Sequence, residues 1–135
     1  MNHRTFLLVV WTLFILWSMD VSRPSESPWV HNLSKWFGHH GMPEYTPAKL
    51  YHCGSFFLWV ILLAGALAGA YWMPLSPKVL RGTILALIVF ASTTEALQSL
   101  NSVRTPSLID VGINVAGGSL GLLFQAFAAR RRSVA

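Results

Sequence analysis

Four long apolar runs, each closed off by polar or helix-breaking residues, organise this chain. They cover residues 5–21, 54–73, 82–100 and 108–128. About 20 apolar residues in a helix cross the hydrocarbon of a bilayer, so each run predicts a transmembrane helix. The first is the shortest, bracketed by Arg4 and Asp20. Its basic start and apolar middle are like those of a secretory signal. No small-residue cleavage site follows at Ser18, Met19, Asp20 and Val21, which predicts a retained anchor instead. The second helix is expected to begin ahead of its apolar run, with Thr46 and Pro47 as N-cap and first-turn pair. The third is expected to reach back to Pro77 behind a Ser76 cap. Residues 74–76 and 101–106 leave short connections, so the second, third and fourth spans should pack as antiparallel neighbours. Between the first two spans, Trp29, Leu33, Trp36 and Phe37 recur at helical spacing. They predict a short amphipathic helix lying in the outer interface, where Trp rings are favoured. A lid over a site on that side is the other reading.

Composition agrees with burial in lipid. Charged residues are 11% and hydrophobic residues 53% of the chain, against roughly 25% charged in an ordinary soluble domain. The expected class is therefore an all-α integral membrane protein, a single membrane domain over residues 1–135 with four transmembrane helices. The net charge of +5 raises nucleic acid as a partner, but the basic residues sit at the ends of apolar runs, where they set topology. With four spans, the N-terminus, the loop between the second and third spans, and the C-terminus share a side. That side holds Arg4, Lys78, Arg81, Arg130, Arg131 and Arg132 and no acid. The other side mixes Arg23, Lys35, Lys49 and Arg104 with Asp20, Glu26 and Glu44. The bias predicts a multi-pass protein of the cell membrane with both termini cytoplasmic. The single cysteine, Cys53, can form no internal disulfide.

Glu95 changes the picture most. It lies inside the third span, about 7.5 Å below the outer end by helical rise. A carboxyl at that depth is costly and by default marks a functional site. Gln98 follows three residues on, along the same face. The fourth span answers with Asp110 and Asn114, and Arg104 lies in the turn between. Lys49 and His52, three apart, enter from the same outer side at the start of the second helix. Polar side chains from three helices and a turn thus converge in the outer leaflet. Each has a structural reading too. Ser107 to Asp110 fits a capping box, Arg104 can pair with Asp110, Lys49 can snorkel, and Gln98 and Asn114 can act as interhelical glue. Gly117 and Gly121 continue the stripe of Asp110 and Asn114 as a GxxxG pair, and Gly65 and Gly69 form another. Both pairs predict close helix packing, within one chain or between copies or partners. His31, His39, His40 and Glu44 match no metal-ligand spacing, and there is no phosphate-binding loop, nucleophile elbow or HExxH motif. No metal and no cofactor are expected.

Glu95, Ala96, Leu97 and Gln98, then Arg104, then Asp110, Asn114, Gly117 and Gly118, resemble in order and spacing the signature of VanZ-like membrane proteins. That family also places a basic residue and a His at the start of the second span, as Lys49 and His52 stand here. It often has an Asp just before that Lys, where this chain has Ala48. The resemblance covers residues 49–123. It implies a small, mostly bacterial, helical membrane bundle. The family takes its name from a protein associated with resistance to the glycopeptide teicoplanin, so a link to resistance comes from the resemblance alone. Three classes of function stay open. One is an outer-leaflet site for a lipid-linked or cell-envelope molecule, with Lys49 and Arg104 holding anionic groups and Glu95, Gln98, Asp110 and Asn114 orienting them. Another is an enzyme using Glu95 or Asp110 with His52 as acid and base. The third is an accessory subunit that assembles through its glycine faces.

Overall fold

The structure is a computed structural model that describes residues 1–21, 28–43, 45–100 and 107–132, with the backbone alone at 19–21 and 28–31. Among the described residues the fold is all-α. Five helices follow in order: α1 His3–Val21, α2 Pro28–His39, α3 Thr46–Ala68, α4 Pro77–Ser99 and α5 Leu108–Arg132. Helices α3, α4 and α5 are long and apolar enough to cross a membrane, and α1 adds a shorter apolar helix over His3–Ser18. The multi-pass character suggested by the sequence rests on these lengths and compositions.

Helix boundaries follow local chemistry. Pro47 stands in the first turn of α3, where its missing N–H costs nothing. The N-cap is Tyr45, without a side-chain cap bond, rather than the expected Thr46, whose Oγ1 donates to Pro43 O at 2.6 Å. Ser76 caps α4 by accepting from Val79 N at 3.3 Å, with Pro77 next. The far end of α3 departs from expectation. The helix stops at Ala68, short of the expected Met73, because Gly69 takes a left-handed φ of 73° as its C-cap. Trp72 then adopts φ 60°, a conformation side chains seldom take, and Pro74 bars any return to helix.

Helix α3 is the central element, touching α1, α2, α4 and α5, and its broadest contact is with α5. Both run in the same direction. Gly117 of α5 lies against Cys53 of α3, and Gly121 lies against Phe57 one turn further along both helices. The antiparallel expectation holds for α4, which runs back against both, with Phe90 stacked on Trp59 at 4.5 Å. Helix α1 lies antiparallel to α3. Trp11 Nε1 donates to Ser55 O at 3.1 Å, Trp59 Nε1 donates to Thr12 Oγ1 at 2.9 Å, and Ser18 bonds Tyr51 near the other end. The core between these helices is Ile15, Phe56, Trp59, Val60, Leu63, Leu87 and Ala91.

The N-terminus, the α3–α4 loop and the C-terminal end of α5 therefore lie at one end of the bundle. The starts of α3 and α5 and the end of α4 lie at the other. On α2, Leu33 and Trp36 remain exposed, so the apolar face read from the sequence is not consumed by the bundle. Phe37 is half-buried, and Trp29 has no described side chain.

Candidate functional site

The polar residues singled out in the sequence gather where α3 and α5 begin and α4 ends. Lys49, in the first turn of α3, forms an ion pair with Asp110, in the first turn of α5. The pair is part-exposed, 31% at Lys49 and 19% at Asp110. About one turn deeper, His52 Nδ1 and Asn114 Oδ1 lie 3.1 Å apart, a bond in which a protonated Nδ1 donates to the amide oxygen. His52 is nearly and Asn114 fully buried. The parallel run of α3 and α5 creates this layering. Residues 49 and 52 climb one face of α3 while 110 and 114 climb the facing stripe of α5, so pairs meet turn by turn.

Glu95 comes from α4 and is buried, as is Gln98 one turn on. Glu95 Oε1 accepts from the backbone N–H of Ser107 at 2.5 Å. Ser107 immediately precedes α5, and its carbonyl accepts from Asp110 N at 3.0 Å. The carboxylate of one helix thus satisfies an N–H at the start of another. There the positive end of the helix dipole also favours it. This differs from the capping-box reading, in which Asp110 would have reached back. Asp110 reaches across to Lys49 instead. Lys49 finds its counter-charge on α5. Arg104 lies outside the described residues.

The small residues act below this layer. A Cβ on Gly117 would collide with the Cys53 carbonyl, and one on Gly121 would come 2.6 Å from Phe57 O. Gly118 faces Leu87 and Val60, the latter 2.9 Å from its would-be Cβ. Helix α5 can approach α3 this closely only with glycine at those points. The other expected pair behaves differently. Gly65 receives the ring of Tyr71 rather than a second helix, and Gly69 is the C-cap that ends α3. Sequence reading passed over Gln125. It is fully buried on α5, and both ends of its amide lack a hydrogen-bond partner among the described residues. The available signal was its place on the stripe of Gly117 and Gly121, four residues beyond the latter.

Chemically, the cluster offers a cation, two carboxylates, an imidazole and two amides at one end of the bundle. Lys49 pairs with Asp110, and His52 meets Asn114. Among the described residues no three His, Cys, Asp or Glu side chains converge as a metal ion would need. Comparison of the chain with models of known families, with curated proteins and with solved structures finds no match.

Proposed function

We propose that this chain is a four-span membrane protein of the VanZ-like type, with both termini cytoplasmic. In this reading its polar cluster faces the outer leaflet and binds a polar, anionic group of a lipid-linked or cell-envelope molecule. The observation that carries the reading is the Asn114 amide. It is fully buried, its oxygen pairs with His52, and its Nδ2 has no partner among the described residues. A buried donor left unpaired costs about 1–3 kcal/mol, so its retention in a polar cluster argues for use. Whichever way the amide is turned, one of its ends lacks a partner among the described residues. Lys49 supports the same reading, since its ammonium has three donors and Asp110 takes one. An anionic oxygen arriving from the membrane surface would meet Lys49 first and the amide layer beneath it.

A second reading follows from the pairings themselves. Lys49 with Asp110, His52 with Asn114 and Glu95 with Ser107 N–H together fasten three helices, which is what a structural lock in an accessory subunit would do. A charge swap separates the two. In Lys49→Asp combined with Asp110→Lys the ion pair is reversed but kept. The assay is membrane protein level plus growth under cell-envelope antibiotics, a glycopeptide among them, in a strain lacking the native copy. If the site binds an anion, the swapped protein accumulates normally and the phenotype is lost. If the cluster only fastens helices, the swap restores both level and phenotype relative to either single variant, and the binding reading falls.

A further inference from the structure

The opposite end of the bundle holds a second polar arrangement. Arg4, in the first turns of α1, places its guanidinium 5.8 Å from the centre of the Tyr71 ring. Tyr71 belongs to the α3–α4 loop, and its ring is seated on Gly65 of α3, where any side chain would displace it. The next residue, Trp72, packs edge-on against Phe124 of α5 at 5.7 Å. Three helices therefore hold the loop, and the Tyr71 hydroxyl is fixed in place. Both Arg4 Nε and Tyr71 Oη are buried atoms with no hydrogen-bond partner among the described residues. An N–H that can only donate and a hydroxyl that can donate thus both lack an acceptor among the described residues, on side chains that lie against each other.

The surroundings choose the sign of what would satisfy them. Lys78 and Arg81 start α4 at this end, and Arg130, Arg131 and Arg132 finish α5 there. The acidic side chains that are described, Glu95 and Asp110, both lie at the other end. A guanidinium over the ring that carries the hydroxyl, both with unmet donors and amid basic side chains, suits a phosphate oxygen. Basic pockets between membrane helices are a recurrent seat for anionic headgroups. We propose that Arg4 and Tyr71 form a phosphate-binding site, filled by the headgroup of an anionic phospholipid of the leaflet at the termini. The proposal rests on the membrane reading of the chain and is independent of the cluster around Glu95.

The test uses the full chain purified from membranes in detergent and native mass spectrometry. The probes are phosphatidylglycerol, phosphatidylcholine and inorganic phosphate. The expected result is retention of phosphatidylglycerol at least about tenfold above phosphatidylcholine, with Arg4→Gln reducing it by about tenfold. Tyr71→Phe keeps the ring on Gly65 and removes only the hydroxyl, so it should fold as the wild type does and lower retention about threefold. Binding of inorganic phosphate alone, lost in Arg4→Gln, would uphold the site and assign it to the free ion. Equal retention of the two lipids, or wild-type retention in both variants, would overturn it. A chain recovered without detergent would instead sink the membrane reading on which the site depends.

Discussion

Gln125 shows how much a single side chain can reveal once its surroundings are known. Its amide is fully buried, and neither end has a partner among the described residues. A primary amide in that position costs about 1–3 kcal/mol relative to a partnered one. Leucine has a similar volume and no polar atoms. Gln125→Leu is expected to raise the stability of the detergent-solubilised protein by about 1–2 kcal/mol, read as the midpoint of thermal unfolding. A lower midpoint would mean that the amide has an acceptor outside the described residues. At this scale the sequence was informative about cost and silent about partners. Glu95 and Asp110 stand out in any reading because a carboxylate in an apolar run demands explanation. That Asp110 would meet Lys49, and that Glu95 would cap a neighbouring helix, depends on how α3 and α5 are aligned. Gln125 escaped notice because an amide within an apolar run is common, and only burial distinguishes it.

For whole helices, the glycines of α5 do not all serve one purpose. Gly117 and Gly121 touch the backbone of α3, whereas a Cβ on Gly112 would meet open space. Gly117→Ala is expected to destabilise the fold by about 1–3 kcal/mol, since the α3 backbone cannot yield as a flexible side chain would. Gly112→Ala should be neutral or gain up to about 1 kcal/mol from helix propensity. Unfolding of the two variants side by side checks this, and equal effects would contradict the close approach. Helix existence and extent were readable from apolar runs, caps and prolines. The Ser76–Pro77 start of α4 needed nothing further. The end of α3 was not readable from hydrophobicity alone, because residues 70–73 are as apolar as a helix interior. What stops the helix there is the positive φ of Gly69, a backbone choice that an apolar count does not register. The same choice removed Gly69 from the packing pair expected with Gly65.

Taken as a whole molecule, the bundle brings the N-terminus, the α3–α4 loop and the end of α5 together, which is the arrangement an even number of crossings requires. In the proposed reading, the bias of Arg4, Lys78, Arg81 and the three final arginines puts that end in the cytoplasm. A fluorescent protein that matures only in the cytoplasm, fused after Ala135, should therefore be bright. The same reporter inserted in the loop between α1 and α2 should be dark. Bright signal at both positions would mean that α3, α4 and α5 do not all cross. The number and order of helices were legible along the chain. Which of them would lie parallel was not, since short connections predict antiparallel neighbours and say nothing of a pair separated by a third helix.

That parallel pair also sets the order of events during synthesis. Helix α3 emerges from the ribosome carrying Lys49 and His52, yet the groups that pair with them, Asp110 and Asn114, are made last but for the remainder of α5. Until then Lys49 lacks its counter-charge, and the α3 backbone that Gly117 and Gly121 will meet stays uncovered. A chain interrupted before α5 carries that defect permanently, as a cation without its acid. The same contacts that bind the finished helices thus become available only when the last helix is made.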